Sequence, residues 1–344
     1  MKTKNTHRVV VTGAGGFIGH HLVKYLKSLG YWVRGADIKH PEYEPTSADE
    51  FIITDLREFG NCSDAVRDVD DVYNLAADMG GIGYITANHA ILARNNSLIN
   101  NHMLEASRLE SVGRYLYTSS ACVYPSFLQD DADVTPLRED QAVPADPEKG
   151  YGWEKLFAEQ LTIYYHEECG LDTRIVRFHN IYGPLGTYEG GKEKAPAAIC
   201  RKIAEAEDLS DIEVWGDGGQ TRSFCHVDDC VEGIVRLMDS GFVQPLNLGT
   251  DEIVTVTELV DMICDASGKK LNKVHDLTKP QGVRGRNSDN SLLREVLGWE
   301  PKISLKDGIG RTYEWIWSEL ACQSRANPPK PNIDSPVQLE QRKI

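Results

Sequence analysis

The fold class the sequence predicts is α/β: a doubly wound parallel sheet of the NAD-binding Rossmann type with a smaller, discontinuous second domain. Two observations predict it. The first half alternates short apolar runs with longer amphipathic stretches, and its opening strand pattern runs through a glycine-rich turn directly into a helix pattern. Strand–helix–strand alternation on this scale requires parallel pairing through right-handed crossovers. Strand-like runs cover 8–12, 32–37, 51–55, 71–74, 115–119 and 173–178. Helix-like runs lie between them, notably 17–28, 97–108 and 151–169. After Asn180 the pattern loosens into a glycine-rich loop at 183–191, followed by a helix-like run at 195–206. We therefore expect residues 1–180 plus about 217–250 to form the dinucleotide unit, and about 181–216 with 251–322 to form the second domain. The proline-bearing stretch 323–344 reads as a mobile or docked tail.

Composition narrows the partners. With 344 residues, 41% apolar and 26% charged, the chain is long enough to bury a large core. A net charge of −15 argues against nucleic acid and anionic membrane surfaces. It does not argue against a small anion, because a helix N-terminus and a few arginines make a local phosphate site. The longest apolar runs are too short to cross a bilayer and the first residues carry no apolar signal segment, so a cytoplasmic protein is expected. The eight cysteines show no CxxC pairing, so neither a disulfide scaffold nor a metal centre is expected.

The first motif is RVVVTGAGGFIGHHL at 8–22. Gly13 suits a tight turn, Gly16 a close backbone approach to a pyrophosphate, and Gly19 close helix–sheet packing. The helix that follows offers unpaired N–H groups to phosphates. Asp37 closes the second strand, where a carboxylate accepts from a ribose 2′-hydroxyl and repels a 2′-phosphate. This selects NAD over NADP, with Arg34 and Lys39 as the opposing signal.

The second motif is Tyr151-x-x-x-Lys155 at the head of a helix, a spacing that places both side chains on one face. The ammonium is then positioned to lower the phenol pKa. Thr118-Ser119-Ser120, about thirty residues upstream, places Ser120 as a hydroxyl beside that phenol. Adjacent His20 and His21 point about 100° apart on a helix and cannot share one ligand. His179 reads as positional, and Trp299 as packing a C-terminal helix.

Glycine turn, serine, tyrosine and lysine in this order resemble the extended short-chain dehydrogenase/reductase superfamily over about 8–311. More local stretches are similar to the GDP-mannose 3,5-epimerase family: LAADMGGIGYI at 75–85, SSACVYP at 119–125, RFHNIYGPLGTYEGGKEKAPAAICRK at 177–202, WGDGGQTRSF at 215–224 and VRGRNSDN at 283–290. That resemblance implies conversion of GDP-D-mannose to GDP-L-galactose, with GDP-L-gulose as a further product, and connects the activity to L-ascorbate biosynthesis or cell-surface polysaccharide. Oxidising C4 to a ketone makes the protons at C3 and C5 acidic, and their inversion needs acid/base groups on opposite ring faces. The resemblance assigns that pair to Cys122 and Lys194, beside the Tyr151, Lys155 and Ser120 catalytic set. It extends the NAD contacts to Phe17, Ile18, Asp55 and Leu56. It lines the sugar pocket with Met79, Gly80 and Gly81, and puts Asn180, Glu193, Lys194 and Lys202 near the sugar and phosphates. Gln220 is assigned to the sugar or base, and Arg284 or Arg286 to the diphosphate.

GDP-fucose synthases share the Ser-Cys segment and the Tyr/Lys pair but use histidine where Lys194 stands, and they consume NADPH. Lys194 and Asp37 both point away from a reductase. Other nucleotide-sugar epimerases and decarboxylases need Tyr151 and Lys155 but not Cys122 and Lys194, and a non-enzymatic NAD sensor needs neither pair. The excess of apolar residues on the 97–108 and 151–169 helices, paired across two chains in the family, implies a homodimer.

Overall fold

The computed structural model describes residues 7–326. In its first half the chain runs β1 (Arg8–Thr12), α1 (Phe17–Ser28), β2 (Trp32–Asp37), β3 (Glu50–Ile53), α2 (Phe59–Val66), β4 (Asp71–Asn74), α3 (Ile82–Ala87), α4 (His89–Leu109), β5 (Arg114–Ser120), α5 (Tyr151–Cys169) and β6 (Asp172–Phe178). It continues through β7 (Ile181–Tyr182), α6 (Ala195–Glu205), β8 (Asp211–Trp215), β9 (Thr221–Ser223), β10 (Cys225–His226), α7 (Val227–Asp239) and β11 (Pro245–Leu248). The last elements are β12 (Ile253–Thr255), α8 (Val256–Ser267), β13 (Asn272–Asp276), β14 (Gly285–Arg286), α9 (Ser291–Leu297) and α10 (Leu305–Ala326).

Seven strands pair in the order β11-β6-β5-β4-β1-β2-β3, all parallel. The sheet is doubly wound, as the alternation predicts. Val9, Val10 and Val11 are fully buried, because a parallel strand covered on both faces needs no polar side. On one face Leu22, Val23 and Leu26 of α1 meet Val231, Ile234 and Met238 of α7. On the other, Cys62 and Val66 of α2, Met103 and Ala106 of α4 and Ala158 of α5 cover the strands. A separate cluster joins α6, α8 and α10 through Cys200, Ile203, Leu259, Ile263, Ile309 and Ile316. The order reverses at β1 and β4, so the carboxyl ends there open a crevice.

Several element ends differ from the sequence reading, each for a local reason. The strand expected at 51–55 stops at Ile53, because the Asp55 carboxylate turns back to accept from the Arg57 N–H at 3.0 Å. The helix expected from 97 begins at His89, and Asn95, Asn96 and Asn100 are buried with polar partners. Residues 323–326 of the expected tail continue α10, and Gln323 donates to the Tyr188 hydroxyl at 2.9 Å. The rest of that tail lies outside the described residues. Within 217–250, α7 and β11 lie on the large sheet, whereas β9 pairs with β12 and β14 in a three-stranded sheet. Trp299 packs with Gly233 of α7 in the core of the large sheet, which also takes Leu293 and Leu297 of the C-terminal helix α9. Among the described residues, no helix is long and apolar enough to cross a membrane.

Candidate active site

The crevice is built from the β1 turn outward. Gly13 has φ +69°, and a Cβ there would meet the Leu75 backbone at 2.9 Å. A Cβ on Gly19 would lie 2.1 Å from the Gly13 carbonyl, so only glycine brings α1 this close. At Gly16 a Cβ would meet only Gly13 O, at 3.3 Å. Gly16 lines a cleft together with Gly15, Phe17 and Lys39, which suits a pyrophosphate approaching the backbone. Gly16 caps α1 without a side-chain bond, so the first N–H groups of the helix, including those of Phe17 and Ile18, are left for a ligand.

Asp37 accepts from Gly15 N at 2.9 Å and Lys39 N at 3.2 Å, and burial raises its carboxyl above the usual range. The two cations that opposed the NAD reading are committed elsewhere. Arg34 is buried against Glu50 at 2.8 Å and the carbonyls of Ala65 and Arg67; Lys39 faces Glu42 at 3.4 Å. Asp55 and buried Leu56 follow the neighbouring β3, with Asp55 paired to Arg57 at 2.6 Å. The residues present fit a dinucleotide that carries a free 2′-hydroxyl.

β5 delivers Ser120 beside the head of α5. Ser120 Oγ accepts from Cys122 N at 3.2 Å, capping the 3-10 turn Ala121–Val123, and its hydroxyl acts to lower the Tyr151 phenol. One turn along α5, Lys155 is 2% exposed and its Nζ donates to Thr118 O at 3.0 Å. Burial holds the Tyr151 phenol well above the ordinary tyrosine value, with the charges of Cys122 and Glu154 adding to it. In the protein alone burial outweighs any lowering of this phenol by Lys155. Burial is the largest effect, and the amine lies 5.6 Å from the Tyr151 ring centre. Burial also depresses the Lys155 amine, against the opposing charges of Glu154 and Glu159.

Cys122 is 7% exposed and packs with Ile85, Leu92, Tyr151 and Met79. Its thiol is pushed up to about 11, by burial first and the Glu148 charge second, while Arg286 opposes. Lys194 caps α6; the residue is partly exposed, but burial of its amine end lowers its pKa, and the field of Cys122 reaches it. Thiol and amine are thus driven in opposite directions, toward neutral forms of both. Glu193 Oε2 accepts from Gly191 N at 2.6 Å, and its carbonyl packs against Gly81. Gly80 packs on Tyr84, and Asn180, at φ +47°, donates to Ser223 O at 2.8 Å.

The two candidate arginines separate. Arg286 is buried, donates to Gln129 Oε1 at 2.6 Å and reaches Cys122 Sγ at 3.4 Å. Arg284 turns out to Asp217 at 2.7 Å. Gln220 donates to Trp215 O at 2.9 Å and leaves its own buried carbonyl oxygen unpaired. Lys202 is not brought to the Cys122–Tyr151 group: its ammonium pairs with Glu213 at 2.8 Å and lies beside the Trp215 ring.

Sequence reasoning missed Arg222, Glu148 and Gln129. Arg222 bonds the carbonyls of Thr221 and Val283, each at 2.7 Å, and burial with the nearby Arg286 charge pushes its guanidinium down to about 9. The available signal was its place in WGDGGQTRSF at 215–224, one of the stretches that carries the resemblance. Two arginines that crowd each other, with Glu148 reaching Arg286 only at 4.0 Å, form a site that an incoming dianion would stabilise.

A family model described as the NAD dependent epimerase/dehydratase family matches residues 9–249. GDP-mannose 3,5-epimerase 1 of Oryza sativa subsp. indica is 48% identical over 315 residues, spanning 91% of this chain and 82% of that protein. GDP-mannose 3,5-epimerase of Arabidopsis thaliana is 47% identical over 315 residues, spanning 91% and 83%. Among solved structures, UDP-glucuronic acid 4-epimerase from Bacillus cereus in complex with UDP-glucuronic acid and NAD superposes with a TM-score of 0.77 at 27% identity, covering 91% of this chain and 99% of that one.

Proposed function

This chain belongs to the NAD dependent epimerase/dehydratase family, and from that premise we propose that it inverts C5 and C3 of GDP-mannose through a transient 4-keto sugar. It is an NAD-dependent isomerase. The finer reading is supported by a buried thiol, Cys122, packed beside Tyr151, and by a depressed amine, Lys194, that the field of that thiol reaches. Bound NAD supplies the hydride acceptor and returns the hydride at the end. Tyr151 takes the C4 hydroxyl proton, Ser120 orients that hydroxyl, and Lys155 holds the Thr118 end of the site. Once C4 is a ketone, the neutral Lys194 amine and the Cys122 thiol form a base and an acid for exchange at the α carbons. Arg286 and Arg222 hold the diphosphate, with Gln220 toward the sugar or base. A simple 4-epimerase or decarboxylase has no use for the Cys122–Lys194 pair.

Incubating the protein with GDP-mannose and a catalytic amount of NAD in deuterated water is expected to place deuterium at C5 and C3, in product exceeding the NAD supplied. Turnover without deuterium at either carbon would sink the reading.

The NAD unit of this reading comprises the seven-stranded sheet with its covering helices, and the α6, α8 and α10 cluster closes over the sugar. Eight free cysteines suit a reducing cytoplasm. The active form is a homodimer joined through α4 and α5, whose outer faces expose Ile91, Trp153 (51%), Phe157 (54%) and Tyr164. A Phe157→Glu variant is expected to elute as a monomer in gel filtration while the parent elutes as a dimer. A parent that elutes as a monomer at micromolar concentration would remove the dimer.

A further inference from the structure

Two loops face each other across the site, and few bonds join them. One follows β4, carries Asp78, Met79, Gly80 and Gly81, and leads into α3 with Tyr84; the other, residues 190–194, leads into α6 and ends on Lys194. Gly81 N donates to Lys192 O at 3.0 Å, and a Cβ on Gly81 would lie 2.3 Å from Glu193 O, so the two backbones touch. Above that contact Lys192 Nζ lies 3.4 Å from Asp78 Oδ1 and 4.1 Å from the Tyr84 ring centre. Tyr84 also donates its hydroxyl to Asp78 at 2.9 Å.

The two sides are anchored unequally. Asp78 is tied to α4: Asn95 donates to its carboxylate at 3.1 Å, and Asn96 accepts from its backbone N–H at 2.7 Å. On the other side Gly190 and Gly191 have φ +87° and +86°, and a Cβ on either would meet nothing within 4 Å. A left-handed pair in open space, next to a residue held by an exposed ion pair, has the character of a hinge. Lys192 is nearly half exposed, so water and salt reach its contact with Asp78.

We propose that Lys192, Asp78 and Tyr84 form a latch whose closure positions Lys194 over the hexose and keeps water from the keto sugar until C4 is reduced again. The inference rests on the function proposed above. An ion pair of this exposure together with a cation–π contact favours the closed loop by about tenfold. That is strong enough to hold a ketone through catalysis and weak enough to open for product.

The test uses the full chain with NAD and GDP-mannose. Lys192→Ala is expected to lower kcat about tenfold with KM changed by less than about twofold, since positioning is lost and binding is kept. Lys192→Arg should restore most of it. Reduced nicotinamide should accumulate in the alanine variant, seen by its absorbance, because the ketone escapes before the hydride returns. Added salt should reproduce the loss in the parent and leave the alanine variant unmoved. A parent that turns over, with a Lys192→Ala variant of equal kcat and no accumulation, overturns the latch alone. A parent that leaves GDP-mannose unchanged overturns the functional reading and the latch with it.

Discussion

Lys194→Met is expected to reduce inversion of GDP-mannose by about 10²–10⁴-fold, the span that a positioned proton-transfer group supplies. NAD binding should be unchanged, because Lys194 caps α6 and the cofactor cradle is made by β1, α1 and β2. Cys122→Ser is expected to fall in the same range, since a serine hydroxyl keeps the volume but is a far weaker acid. The two losses should not add, because both groups serve one proton transfer across one ring. The pH dependence follows from their opposite shifts. Lowering its pKa makes the Lys194 amine available as a base at a pH where an ordinary lysine is still charged, so exchange should rise with pH through that depressed value. Cys122 stays a thiol until about 11, so the alkaline limb should fall there, and its loss in Cys122→Ser would identify it. Deuterium content at C5 measured against pH decides the matter. A Lys194→Met variant with parental exchange removes the amine from the reaction.

What could be read before the fold was known follows a physical division. The NAD cradle was legible because its parts are local: strand, turn, helix and the acid of the second strand lie within 8–37, and each glycine has a steric duty that backbone geometry alone defines. Tyr151 and Lys155 were legible for the same reason, one helical turn apart. The anion site was not. Arg222 reaches it because β9 pairs in parallel with β14, more than sixty residues on, and Arg286 is fixed by Gln129 from a third segment. No periodicity encodes such a meeting. Lys202, whose role came by likeness alone, pairs with Glu213 in the protein alone, a partner more than ten residues away that no local pattern announces. The Tyr151 phenol is a third case, a sign set by burial, which spacing cannot reveal.

Arg177→Met should cost about 3–5 kcal/mol of folding stability, because it strands a buried carboxylate. Glu159 is wholly buried on α5, and Arg177 of β6, 4% exposed, meets it through two bonds of 2.7 and 2.9 Å. The guanidinium also donates to the Tyr124 hydroxyl at 3.1 Å and Glu139 O at 2.8 Å. Tyr124 donates its hydroxyl to Asn247 Oδ1 at 2.6 Å, an oxygen that His179 Nε2 also meets at 3.0 Å. The chain therefore ties α5, β6, the turn after Cys122 and β11 into one polar core. Removing a single charge is worse than removing both, so adding Glu159→Leu to Arg177→Met should recover part of the loss. Isothermal denaturant unfolding of the two variants tests this, and a double variant no more stable than the single would refute it. The same network gives a pH signature. Burial holds His179 at about 3, against an ordinary value of 6.5. Between those values the unfolded chain takes up a proton that the folded chain refuses. Stability present above pH 6.5 should therefore drain away as the pH falls toward 3, and His179→Gln should flatten that slope.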